Sequence, residues 1–253
     1  MQVNDTLDAI INAKTLENLW DLLTDRMGYY GFDRLLYGYT QYLTENAYGD
    51  PEDFIILSSM PRRYVEEFVF GGIYFHAPML RWSIENTGSC SWGLLAERLS
   101  ADAMTDGERK VYDYNQRNGV KAGYTISFKS VSSRVKGSIA LIGRKDISQA
   151  ELDEIWGEHG DDIQLINNVA HLKILTLPYS NYKRNLTSRQ REVLEWVSDG
   201  KTIQDIAVLL KRKPATVEKH LRLARESLNV ETTAQAVLKA SFLNQMFIRE
   251  AEA

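Results

Sequence analysis

Residues 186–228 read LTSRQREVLEWVSDGKTIQDIAVLLKRKPATVEKHLRLARESL, and their spacing predicts three short helices. Thr187 with Gln190 makes a T-x-x-Q capping box, in which each side chain satisfies an orphan amide of the first turn. Val193, Trp196 and Val197 share one face, and Asp199-Gly200 ends the helix, glycine being free to turn left-handed. Ile203, Ile206, Ala207 and Leu210 follow the i, i+3, i+4, i+7 pattern of a second helix. Lys211-Arg212-Lys213 break it, and Pro214 suits the first turn of a third, where its missing N–H costs nothing. There Val217, Leu221, Ala224 and Leu228 form one apolar stripe. At about 100° per residue the opposite side carries Ala215, Lys219, Arg222 and Glu226, flanked by Glu218 and Arg225. A fourth helix repeats the amphipathic spacing through Ala234, Val237, Leu238 and Phe242.

Three helices, a basic turn and a polar outer face on the last helix are the features of a helix-turn-helix; the alternative is a small bundle whose charged face is merely solvated. Charge favours the first. Residues 181–253 hold 13 Lys/Arg against 9 Asp/Glu, whereas residues 1–180 hold 17 against 25. A basic tail on an acidic body is the distribution expected when only the tail meets phosphate. Lys201, Thr202, Lys211 and Lys213 are candidates for phosphate contact, and Thr216, Glu218, Lys219 and Arg222, with Arg225 on the flank, for reading base edges.

The run L-T-x-R-x-x-E-V-L-x-W, then G-K-T-x-x-x-I-A, then T-V-x-x-H-L resembles the C-terminal DNA-binding domain of the LuxR family over about seventy residues. One departure is Gln190, where the family usually has Glu; the glutamine still completes the capping box. The resemblance implies a transcriptional regulator that works as a homodimer on double-stranded DNA.

The 253 residues suffice for two domains with cores of their own. A single cysteine, Cys90, excludes an intrachain disulfide. The histidines at 76, 159, 171 and 220 are scattered, so neither a metal site nor an acid–base constellation is in view, no cofactor is expected, and an enzyme is disfavoured. The N-terminus MQVNDTLD lacks the plan of a signal peptide and no apolar run approaches a membrane span; a cytoplasmic protein without membrane contact is expected.

Upstream, Val3, Leu7, Ile10 and Ile11 predict one helix, and Leu16 to Met27 a second closed by Gly28. Strands are predicted over 32–40, 53–59, 123–129 and 137–143, and helices over 61–71 and from Thr105 to about Asn118. Ile147, Ser148, Glu151 and Leu152 open a long helix to about Leu177, which Pro178 stops. The fold expected is α+β: an N-terminal α-β-α sandwich with an antiparallel sheet over 1–177, a linker at 178–185, and an all-α helix-turn-helix domain over 186–253.

Tyr64, Phe68, Tyr74, Trp82 and Trp92 either line a cavity or belong to the core. In LuxR-type receptors the N-terminal domain holds an acyl-homoserine lactone, with the pattern W-x3-Y, an Asp-Pro pair nine residues on, and a Trp fourteen past the proline. On that spacing this chain has Tyr64, Phe68, Ala77-Pro78 and Trp92, with Gly123 matching further on. Met60 stands where a donor to the acyl carbonyl is common, and Ala140 or Ser138 where a small hydroxyl is. Ala77 replaces the carboxylate that accepts the ligand's amide hydrogen, a bond worth ~1.5–3 kcal/mol. On extended backbone the neighbouring His76 points the other way and does not replace it. Two readings stand: the domain takes a different, more apolar small molecule, or its own bulky side chains fill the cavity and it works without ligand. A third possibility, from another class, is a module that pairs with a lactone-responsive relative and blocks it without binding DNA.

Overall fold

The computed structural model describes residues 2–44, 48–100, 103–179 and 185–248. The chain divides into two compact units, residues 1–174 and 175–253.

The first unit is built on a five-stranded antiparallel sheet: β1 (Phe32–Thr40), β2 (Ile55–Ser58), β3 (Gly88–Ser91), β4 (Gly123–Ser127) and β5 (Lys136–Gly143), in the order β2-β1-β5-β4-β3. Side chains alternate between faces along each strand. One face meets α2 (Leu16–Tyr29) and α7 (Gln149–Ile174), against which α1 (Val3–Asn12) packs. On that side Tyr124 stacks on Trp156 and Phe128 on His171, while Phe32 meets Trp156 edge-on. A bulge between Phe32 and Arg34 shifts the register, so Phe32 shares a face with Leu35 and Tyr37 despite the spacing. Over the other face lie α3 (Arg62–Val65), a π-type turn over Glu66–Phe70, α4 (Pro78–Glu85), α5 (Gly93–Ser100) and α6 (Asp106–Arg117).

Several details differ from expectation. In the fourth helix of the second unit the inward face is Ala236 and Ala240, while Ala234 and Leu238 of the predicted stripe are exposed. Helix α2 runs through Gly28 to Tyr29, and the chain reverses at Gly31, whose φ of +91° needs glycine. Ile73–His76 form a 3₁₀ turn rather than extended chain, which leaves His76 exposed and off the cavity wall. Helix α7 ends at Ile174, and Leu175 to Tyr179 join the second unit: Asn244 donates to the carbonyls of Leu175 and Leu177. Residues 180–184 of the expected linker lie outside the described residues.

The second unit contains α8 (Ser188–Ser198), α9 (Ile203–Leu209), α10 (Pro214–Leu228) and α11 (Thr233–Phe242). Capping boxes at Thr187/Gln190, Thr202/Asp205 and Thr232/Gln235 start three of them. The stripe Val217, Leu221, Ala224 and Leu228 is buried against α8, α9 and α11. Removing the side chain of a buried leucine there costs about 2–5 kcal/mol.

Candidate ligand cavity and nucleic-acid interface

Between the sheet and α3, α4 and α6 lies a cavity of about 270 Å³. Its floor comes from alternate strand residues: Leu36, Gly38 and Thr40 of β1, Thr125 of β4, and Ser138, Ala140 and Ile142 of β5. Tyr64, Phe68, Tyr74, Ala77 and Trp92 are on its walls, with Val111, Asn115 and Val120 closing the α6 side. The domain is therefore not filled by its own side chains. The bulky residues at 64 and 68 stack on one another, ring centroids 5.1 Å apart, rather than projecting across the space.

The polar groups on the wall are largely engaged within the protein. Trp92 Nε1 donates to Thr125 Oγ1 at 2.9 Å, and the Tyr64 hydroxyl to Asn115 Oδ1 at 2.8 Å. Burial pushes the Tyr64 phenol well above its ordinary pKa, so it stays a donor. Glu108 accepts from the backbone N–H and the hydroxyl of Thr105 at 2.8 and 3.1 Å, closing the capping box of α6. Tyr74 differs: its ring packs against Phe54 and Phe75, and its buried hydroxyl has no hydrogen-bond partner among the described residues. Ala77 sits at the N-cap of α4, half-buried, and offers no side-chain acceptor.

Three residues singled out in the sequence lie off this wall. Met60 is buried in the adjoining core cluster and Trp82 is half-buried on α4. Gly123 acts indirectly: a Cβ there would meet the carbonyl of Leu141 and come within 3.0 Å of the Trp92 ring. Its N–H donates to Gln149 Oε1 at 2.9 Å, and the absence of a Cβ leaves room for the Trp92 ring. Thr125, Asn115 and Lys136, all on the cavity, had not been singled out. The period-2 pattern of β4 and β5 carried a signal for the first and third; the Tyr64–Asn115 pairing spans 51 positions and carried none.

In the second unit α10 has an open outer face. Ala215, Glu218, Lys219 and Arg222 are exposed, and Thr216 is half-buried. Arg222 Nη1 bonds Glu226 Oε1 at 2.5 Å across one turn, both side chains being more than half exposed. Arg225 is half-buried and donates to Thr233 Oγ1 at 2.9 Å, so it ties α10 to α11. Lys211 takes a left-handed φ of +52° in the α9–α10 turn, and with Lys213 it is exposed beside the start of α10. Lys201 is exposed; Thr202 is the α9 N-cap, its hydroxyl bonded to Asp205 at 2.7 Å.

A sheet-and-helix domain with a cavity, followed by a helix-turn-helix unit, is the architecture of a two-part transcriptional regulator. Residues 15–174 match the family described as autoinducer binding domain, and residues 184–240 that described as bacterial regulatory proteins, luxR family. The chain belongs to the LuxR-type regulators with an autoinducer-binding domain, a family of transcriptional regulators rather than enzymes. It is 22% identical over 240 residues to the transcriptional activator protein AnoR of Acinetobacter nosocomialis, covering 94% of this chain and 96% of that one. With the activator ExpR of Dickeya dadantii it shares 23% over 201 residues, 74% of this chain and 76% of the other. Among solved structures, the N-acylhomoserine lactone dependent factor CepR2 of Burkholderia cenocepacia aligns with a TM-score of 0.53 at 16% identity, over 68% of this chain and 92% of that one. No described helix is long and apolar enough to cross a membrane.

Proposed function

We propose that this regulator responds to a predominantly apolar small molecule held without the usual lactone contacts. The observation that supports this most directly is where the wall's hydrogen bonds go. Position 77 has no carboxylate, and the indole of Trp92 and the phenol of Tyr64 donate to Thr125 and Asn115. A lactone head would leave its amide N–H unpaired, and a buried unpaired donor costs about 1–3 kcal/mol. The surrounding surface, from Leu36, Ile56, Phe68, Val69, Leu80 and Ile142, suits an acyl or similar chain.

On the DNA side, Lys201, Lys211 and Lys213 contact phosphates, with Thr202 at the α9 N-terminus. Thr216, Glu218, Lys219 and Arg222 face the base edges of the major groove. Arg225 chiefly fixes α10 against α11. The protein acts in the cytoplasm as a homodimer on a two-fold-related site, through residues 175–253, with residues 1–174 controlling it.

The test is calorimetric titration of the full chain with N-octanoyl-homoserine lactone and, separately, with decan-1-ol, followed by mobility-shift assays on duplex DNA. Binding of the alcohol with weak or absent lactone binding is expected, as is salt-sensitive DNA binding. Nanomolar lactone affinity would overturn the ligand reading. A chain that never shifts DNA, yet removes a lactone-responsive relative from its site, would instead mark it as an inhibitory partner.

A further inference from the structure

Lys136, at the start of β5, lies on the cavity. It pairs with Thr40 across β1 and β5, while the far end of the floor is Ile142, opposite Gly123. Six residue steps of strand separate the two ends, roughly 20 Å. Lys136 is half-buried, and its Nζ donates at 2.9 Å to the backbone carbonyl of Asn86. An ammonium has three donors, so that bond leaves two. Among the described residues no carboxylate pairs with it; burial alone lowers its pKa, with no charged neighbour to offset the desolvation. The carboxylate on the wall, Glu108, is held by Thr105. The second lysine of the lining, Lys121, stands beyond the other end, two residues before Gly123, and is exposed.

Lys136 thus places a partly desolvated cation at one end of an apolar trough. We propose that the cavity takes an acyl chain ending in a carboxylate, with its head on Lys136 and its chain along Ser138, Ala140 and Ile142. This rests on the apolar-ligand reading above and assigns the ligand's charge and direction. A carboxylate at this position completes a charge-assisted bond on the donors that the Asn86 carbonyl leaves free.

The test compares decanoate with decan-1-ol by calorimetric titration of the full-length protein at neutral pH. The wild type should bind decanoate about tenfold more tightly than the alcohol, and raising the salt from about 0.05 M to about 0.5 M should reduce that preference. Lys136→Met keeps an apolar stem of similar length. It should hold decan-1-ol within about twofold of the wild type and lose the preference for decanoate, its alcohol binding serving as the check on folding. Lys121→Met should keep the preference. Equal binding of the two probes by the wild type, persistence of the preference in Lys136→Met, or its loss in Lys121→Met would overturn the assignment and leave the apolar cavity standing. If the wild type binds neither probe, the apolar-ligand reading falls and this inference with it. Should Lys136→Met not fold, a salt-insensitive preference in the wild type overturns the assignment, and a salt-sensitive one kept by Lys136→Arg supports it.

Discussion

The indole N–H of Trp92 ends on the hydroxyl of Thr125, 2.9 Å away, and not in the cavity that the same ring lines. Two of the wall's donors, the Trp92 indole and the Tyr64 phenol, are thus taken up by neighbouring side chains on β4 and α6. On the proposed reading, the lack of an acceptor at position 77 is what disfavours a lactone head group.

Restoring that acceptor should change selectivity. Ala77→Asp is expected to raise affinity for N-octanoyl-homoserine lactone about ten- to hundredfold, from a charge-assisted bond of ~1.5–3 kcal/mol. The position is an N-cap, where aspartate also favours α4. Calorimetry on the variant checks this; an unchanged lactone affinity would mean that Ala77 is not what excludes the lactone.

The orphan hydroxyl of Tyr74 predicts an unusual stability effect. Tyr74→Phe removes a buried polar group with no partner, so the variant should be as stable as the wild type or up to about 1 kcal/mol more stable. A loss of 1 kcal/mol or more in urea denaturation would show that the hydroxyl is satisfied in solution.

His171 gives a pH dependence. It is buried between Phe128 and Tyr39, with Nδ1 2.8 Å from the Tyr37 hydroxyl, and burial lowers its pKa to about 4 from 6.5. The folded state keeps the ring neutral while the unfolded chain protonates it. The contribution is therefore fully present above pH 6.5 and falls away as the pH drops towards 4. The full effect is on the order of 3 kcal/mol. The difference in urea midpoint between wild type and His171→Gln should shrink between neutral pH and the acid end of that window; a constant difference would refute it.

On the DNA side, Arg222→Ala should relax sequence specificity, by about 1–3 kcal/mol at the base it reads. Lys211→Ala should weaken all sequences alike and reduce the salt slope by about one. Arg225→Ala, which breaks the Thr233 contact, should lower the melting temperature more than it changes sequence preference. Competition binding on cognate and scrambled duplexes, with thermal melts, separates the three; equal losses for Arg222→Ala and Lys211→Ala at every site would refute their separate roles.

Local sequence determined the elements whose signals are local. β1 occupies 32–40, as its run of aromatic and aliphatic residues predicts. Helices α8, α9 and α10 begin at a capping box or a proline and bury Val193, Ile206, Ala207 and the Val217–Leu228 stripe. That position 77 offers no side-chain acceptor was likewise legible, since an alanine needs no geometry to be recognised. Tertiary structure decided what depends on distant partners. β3, the short polar run GSCS, is a strand only because β4 pairs with it. Whether the aromatic side chains at 64 and 68 fill the cavity or spare it turned on a stack with one another and a hydrogen bond to Asn115 on α6. Propensity and capping act within one turn of the chain, whereas an empty volume and the direction of an N–H are properties of surfaces that meet only when sheet and helices pack.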